Sequence, residues 1–199
     1  MMMKKIILIL SILALISSSC GQATKQQDKA LEDMIIKTIK AYQNQDEETL
    51  NNLILKDFGI AFVYRPGVIN DFIFSDKISF DNPVPDYDPY DTDLKIDCKI
   101  NFEELPEFSC DIEEWNKPHG IYCDTINRSE QLSSIAKFRN EYFESNFSAA
   151  EIKKFEDIEK RSHKVIVLGK EGNYFKFYLT FKNNKWYLTI IDRTDYCSA

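Results

Sequence analysis

The sequence predicts an α+β fold, an antiparallel sheet packed against N-terminal and central helices. Two observations lead there. Val165-Ile-Val-Leu168, Tyr174 to Phe181 and Trp186 to Ile191 are three β-prone runs separated by the turn stretches Gly169-Lys-Glu-Gly-Asn173 and Lys182-Asn-Asn-Lys185. Alternation puts Phe175, Phe177, Leu179 and Phe181 on one face, continued by Trp186, Leu188 and Ile190 in the next strand. A meander with one apolar face needs cover. The second observation is a set of amphipathic stretches able to supply it, at 28–43, from Ser129 to Phe143 and from Ser148 to Lys160.

Taken in order, the chain opens with a leader. Met1 to Lys5 is a short basic head, Ile6 to Ile16 is apolar but for Ser11, and Ser17-Ser-Ser-Cys20-Gly21 follows. The apolar run is too short to span a bilayer comfortably, and its layout is that of a secretory signal. The Cys directly after small residues resembles the lipobox of bacterial lipoproteins, with Ser17 standing where Leu is usual. That resemblance implies cleavage before Cys20 and a diacylglycerol on its sulfur, alongside acylation such as palmitate. The expected organisation is a signal peptide at 1–19, a lipidated N-terminus and polar tether at 20–28, and a single domain at 29–199. The expected location is the cell envelope, most plainly the outer membrane. An unlipidated export signal, with Cys20 as a disulfide half, is the alternative.

The 199-residue chain is 44% hydrophobic and 29% charged, an ordinary globular balance. Its formal charge is −7; losing Lys4 and Lys5 with the leader leaves 23 basic against 32 acidic residues, or −9. Such a chain repels phosphate backbones, so no nucleic-acid partner is expected.

The helix at 28–43 carries Leu31, Met34, Ile35, Thr38, Ile39 and Tyr42 at spacings of three and four. Asn44-Gln-Asp-Glu47 resembles a capping box for a second helix from Thr49 to Leu55. Gly59 breaks the pattern, Ile60 to Tyr64 reads as a strand ended by Arg65-Pro-Gly67, and Asp71 to Ser75 as a short or edge strand. Asp81 to Asp93 is rich in Asp and Pro without periodicity, and predicts a long exposed loop. Calcium on Asp86, Asp88, Asp91 and Asp93 is the competing reading, but the spacing lacks the Gly and terminal Glu of an EF-hand. Leu94, Ile96, Cys98, Ile100 and Phe102 alternate with polar residues as a half-buried strand, and Phe108, Cys110 and Ile112 do likewise. Glu113 to Gly120 reads as a loop and Ile121 to Cys123 as a brief pairing segment. Ser129 is the expected cap of a helix starting at Glu130, and Ser148-Ala-Ala-Glu151 is a capping box.

Cys98, Cys110, Cys123 and Cys197 remain in the mature chain, and export predicts disulfides. Sequence leaves the pairing open: Cys98 with Cys110 across a hairpin turning at Glu104-Leu-Pro106, Cys110 with Cys123 around the Trp115 loop, or buried thiols. With no CxxC and only His119 and His163, no metal or cofactor is expected.

No G-x-S-x-G elbow and no glycine-rich phosphate loop occurs. His119 and His163 read as turn or surface histidines, Asp192 and Arg193 as a local salt bridge, Trp186 as core. No catalytic residue is assigned. Two N-terminal helices, Gly59-Ile-Ala-Phe-Val-Tyr-Arg-Pro-Gly67 and the closing Asn184-Lys-Trp-Tyr-Leu-Thr-Ile-Ile-Asp192 are similar to the nuclear transport factor 2-like (cystatin-like superfold) family, and more narrowly to exported lipoproteins of unknown function with that fold from Gram-negative gut anaerobes. The resemblance covers residues 29–195. It implies a curved sheet forming a cone, open at one end to a pocket, with Tyr64, Trp186 and Asp192 as possible lining. The 70–128 region is an insertion relative to the compact form. The implied function is a non-catalytic module binding a small ligand or an envelope protein. An enzyme acting on a small hydrophobic substrate through Tyr64, Asp192 or His119, and a structural or assembly protein using the acidic loop, are the alternatives.

Overall fold

The computed structural model describes residues 27–96, 99–126 and 131–197. It is mixed α+β, with four helices and a large curved, unclosed sheet. Helix α1 covers 27–43, followed by α2 (Glu47–Asn52), β1 (Ile60–Tyr64), β2 (Asp71–Ser75), β3 (Ile100–Phe102), β4 (Phe108–Ser109), β5 (Glu114–Trp115) and β6 (Gly120–Asp124). Then come α3 (Leu132–Tyr142), α4 (Ala149–Glu159), β7 (Ser162–Leu168), β8 (Tyr174–Lys182) and β9 (Lys185–Asp192). The seven-stranded sheet runs β2-β1-β9-β8-β7-β6-β3, with β4 and β5 forming a separate hairpin. It is not purely antiparallel as expected: β1 lies parallel to β9, and β3 to β6. The 70–128 region supplies β2 at one edge, β3 at the other, and β6 inside the sheet.

Both faces of the sheet are covered. Phe62, Val165, Val167, Phe175, Phe177, Leu179 and Leu188 meet Leu31, Ile35, Ile39 and Tyr42 of α1. Tyr42 stacks on Phe175 with centroids 3.8 Å apart and planes 8° from parallel. Each such buried side chain contributes roughly 1.5–3 kcal/mol. Ala61, Val63, Tyr178 and Ile190 on the other face pack against Leu132, Ile135 and Ala136 of α3 and Phe155 and Ile158 of α4. Farther along that face Tyr122, Ile166, Leu168 and Tyr174 meet Leu105 and Trp115.

One departure from simple alternation shapes everything that follows. Tyr178 pairs with Ile190 but Leu179 with Leu188, so Thr189 is an extra residue in β9. Trp186 and Leu188 face α1 as alternation requires. Ile190, expected beside them, is turned to α3 and α4, and Ile191 takes its place. The bulge is lined by hydroxyls: Ser162 Oγ lies 2.6 Å from Thr180 Oγ1, which lies 2.7 Å from Thr189 Oγ1.

Local signals explain the other differences. Helix α2 is capped by Asp46, whose carboxylate accepts from Thr49 N at 2.9 Å, and stops at Asn52 because Leu53 and Ile54 are drawn to the sheet, Leu188 N donating to Leu53 O at 2.9 Å. Gly59 sits at φ +83°, and a Cβ there would lie 2.9 Å from Ser75 O. Of the strand expected over 94–102 only Ile100–Phe102 forms; Leu94 is buried apart from it, while Asp97 and Cys98 lie outside the described residues. The hairpin turns through residues 110–113, not at Glu104–Pro106, and leaves Ile112 exposed.

Ser129 and Glu130 also lie outside the described residues. The N-terminus of α3 is served from elsewhere: Glu159, buried at the end of α4, accepts from the backbone N–H of Gln131 at 2.8 Å, Leu132 at 2.5 Å and Ser133 at 3.1 Å, and from Ser133 Oγ at 2.5 Å. A carboxylate on exposed helix donors is stabilising. Glu159→Ala strands those donors and is expected to lower stability by about 2–4 kcal/mol, read as a fall in the urea midpoint with the slope unchanged. The capping box of α4 is present as expected, Ser148 Oγ accepting from Glu151 N at 3.2 Å and Glu151 accepting from Ser148 N at 2.8 Å.

Candidate functional site

The two ends of the sheet have different chemistry. At one end lie the starts of α1, β7 and β9: Trp186 Nε1 donates to Gln27 O at 3.4 Å, and Trp186 packs against His163 and Phe181. At the other lie the β1–β2 turn, the β7–β8 turn and the end of β9.

Because of the bulge, Asp192 points away from α1 and toward two lysines. Lys164 Nζ is 2.9 Å and Lys176 Nζ 3.5 Å from its carboxylate. Thr194 donates to the same carboxylate from N at 3.1 Å and Oγ1 at 2.6 Å. The Lys176 side chain is 1% exposed; its ammonium donates to Thr194 O and to Thr194 Oγ1, and lies 4.2 Å from the Tyr196 ring centroid. Burial resists charge on all three groups, and the balance differs. Asp192 is held below the carboxylate range because two ammoniums and a hydroxyl outweigh burial. Lys164, also opposed by burial, is carried above its usual range by Asp192. Lys176 is pushed down to about 8 by burial, with Asp192 only partly offsetting it.

The tail beyond β9 seals this cluster. Cys197 is bonded to Cys110, with 5.6 Å between Cα atoms, and Tyr196 packs edge-on against Trp115 and Tyr174 at 4.6 and 5.3 Å. This pairing excludes both expected partners of Cys110. Cys123 is buried on the α1 face of β6. The Tyr196 hydroxyl is buried with no hydrogen-bond partner among the described residues.

Arg193 is not paired with Asp192. It bonds Asp88 at 2.6 Å and donates to the carbonyls of Val84 at 2.7 Å, Asp88, and Pro89 at 3.1 Å. The acidic loop is therefore irregular but tied down, with Val84 and Tyr90 packed on the core, not a freely exposed segment. Among the described residues no group of His, Cys, Asp and Glu could hold a metal ion.

The three candidate pocket residues fall in three places. Trp186 lines a cleft of about 500 Å³ at the α1 start, with His163 and Glu32. Asp192 lies beneath a cleft of about 220 Å³ shared with Lys176 and Arg193. Tyr64 is paired in register with Asp71, which lines a third cleft of about 420 Å³ together with Val68, Ile69, Arg139 and Phe143. His119 is exposed just before β6. His163 is buried, not superficial, its Nδ1 3.1 Å from Asp124 O.

That third cleft carries exposed apolar side chains. Val68 in its lining is 83% and Phe143 55% exposed; Tyr142, next to Phe143 in the chain and outside the lining, is 62% exposed and lies 4.7 Å from Phe138 between ring centroids. An ion pair between Arg139 and Asp71 forms its floor. Isolated exposed apolar residues mean little, whereas a cluster on a concave surface is a candidate docking site. Sequence reasoning missed it because Val68 lies in a turn and Phe143 belongs to a helix stripe that runs past the edge of the core. Comparison with family profiles, with curated proteins and with solved structures returned no match.

Proposed function

We propose that the chain is an envelope lipoprotein anchored through Cys20, and that its body is a nuclear transport factor 2-like cone whose cavity has been filled, so that it works as a non-catalytic module binding a partner protein. The observation carrying this reading is the occupied α1 face of the sheet. Where an enzyme of that shape needs a pocket with converging acid and base, Tyr42, Ile35 and Leu31 pack directly on Phe175, Phe177 and Leu179. The Lys–Asp–Lys cluster is largely buried under the tail, and its ammoniums are satisfied within the fold. The apolar cleft around Val68 and Phe143 is left to do the binding, with Arg139 and Asp71 giving it polar direction.

A photo-crosslinking residue at Val68 or Tyr142, introduced in the native envelope, is expected to give one discrete adduct. The same residue at Lys170, in the β7–β8 turn, is expected to give none. Equal adducts at all three positions, or none at any, would contradict the reading. A small molecule retained in native mass spectrometry would replace the partner with a ligand.

A further inference from the structure

We propose that two copies of this chain pair edge to edge through β2, antiparallel about Ile73, so that the partner docked at the cleft around Val68 and Phe143 is the chain itself. The inference rests on the reading of that cleft as a binding surface and names its occupant. Three observations carry it.

The first is backbone direction. Arg193 N donates to Val63 O at 2.7 Å, so Val63 turns its N–H and C=O toward β9. Its neighbours Phe62 and Tyr64 turn theirs toward β2, where they meet Ile73 and Asp71. That leaves Phe72 and Phe74 with backbone groups directed out of the sheet. The N–H of Phe72 is held by the Asp71 carboxylate at 2.6 Å, a local bond that an incoming carbonyl can replace, and Phe74 is 39% exposed. Such an edge is a template for another strand unless it is guarded. The far edge is guarded by its shortness, since β3 has three residues. Strand β2 has five, Asp71-Phe-Ile-Phe-Ser75, with no Pro, Lys or Gly among them.

The second is the position of exposed apolar side chains. Val68, Ile69, Ile73 and Phe74 all belong to this one hairpin, and Phe143 lines the same cleft from the end of α3, beside the Arg139–Asp71 pair. A strand pair alone is marginal in water, and flanking apolar surface supplies what it lacks.

The third selects the occupant. A two-fold axis at Ile73 sets Phe72 opposite Phe74 of the other copy and Ile73 opposite its own counterpart, apolar against apolar, with Asp71 opposite Ser75. Phe72 and Phe74 then form the hydrogen-bonded pairs that their outward backbone groups require, and Ile73 forms the closer non-hydrogen-bonded pair between them. Charge agrees. One end of the strand carries Arg65, bonded to Asn70 at 2.7 Å, and the Arg139–Asp71 pair; the other end carries exposed Asp76 and Lys77. Continued by one step, the register sets Asp76 of one copy opposite Asn70 of the other, where Arg65 stands, with Lys77 diagonal to Asp71. A strand whose two halves match each other about its centre is what an isologous interface requires.

The test uses the full chain, extracted in nonionic detergent, and variants of β2. In the pairing described, Ile73 meets its counterpart with Cα atoms about 4.5 Å apart, within reach of a disulfide. Ser75 lies about 14 Å from its counterpart, because it faces Asp71 instead. Ile73→Cys is therefore expected to run as a covalent dimer on a non-reducing gel, and Ser75→Cys as a monomer. The parent is expected to show the mass of two chains in native mass spectrometry. Ile73→Lys, at a side chain 43% exposed, is expected to stay folded by circular dichroism and to lose the dimer, since two ammoniums then meet at the axis. Equal crosslinking at 73 and 75, or a dimer that survives Ile73→Lys, overturns the pairing. A monomeric parent overturns it too. If the photo-crosslinker at Val68 then captures a protein of another mass, the cleft keeps its binding role; if it captures nothing, both readings fall.

Discussion

Asp192→Asn is expected to be among the most damaging single substitutions in the chain, costing about 3–5 kcal/mol. It leaves two lysines in the fold, one of them 1% exposed, without their shared counter-charge. For a chain of this size that is a fall of about 10 °C in the melting temperature. The pH dependence gives a second signature. Asp192 is held below the range of a free carboxylate, so it contributes stability above about pH 4 that is lost as pH falls below that value. Lys176 acts in the opposite sense. At about 8 its folded pKa lies below the value near 10.4 of an unfolded lysine, so the unfolded chain binds more protons between those limits and stability rises with pH across them, by up to about 3 kcal/mol. Lys164, raised in the fold, acts in the other direction only toward the top of that window: its stabilisation is complete well below the unfolded value near 10.4 and is lost as pH rises past it. In Asp192→Asn the rise is expected to begin below pH 8, because Lys176 has lost the carboxylate that favoured its charge. Urea unfolding at a series of pH values measures both effects. A variant as stable as the parent at pH 7, with the same pH profile, would show that the cluster carries no weight.

Removing the Cys110–Cys197 bond is expected to lower stability by about 2–4 kcal/mol, since it closes a separation of 87 residues and restricts the unfolded chain accordingly. The more specific consequence is local. The bond holds residues 193–197 across Lys176, with Tyr196 over its ammonium and Thr194 accepting from it. In the Cys110→Ser, Cys197→Ser double variant, amine-directed acetylation of the folded protein is expected to reach Lys176, which is shielded in the parent. Peptide mass spectrometry after a brief labelling pulse measures this. A variant that melts lower but keeps Lys176 shielded would mean that the ring packing of Phe108, Trp115, Tyr174 and Tyr196 is enough to hold the tail.

The parts of this fold visible in the sequence are those written in local periodicity. The stripe from Leu31 to Tyr42, the capping box at Ser148 and the turns at 169–173 and 183–184 each depend on residues a few positions apart. What was not visible depends on distant chain or on a choice the pattern leaves open. Leu188-Thr-Ile-Ile191 reads equally well with or without an extra residue, yet the bulge at Thr189 decides that Asp192 meets Lys164 and Lys176 and not the apolar face beside Phe175. Alternation does separate Lys176 from Phe175 and Phe177, but nothing near it says that this face is roofed by a tail tied to Cys110. Glu159 looks like the last polar residue of a helix and is the cap of another one. The apolar cleft is hidden for the same reason: Val68 and Phe143 are 75 positions apart and meet only because β1–β2 turns back beside the end of α3.

The measurement that bears most directly on the whole account is mass spectrometry of the amino-terminal tryptic peptide, recovered from the envelope in which the protein is made. The account predicts that this peptide begins at Cys20, ends at Lys25 and carries acyl chains through the Cys20 sulfur. A peptide that begins upstream of Cys20, or that begins at Cys20 with an unmodified thiol, would contradict it.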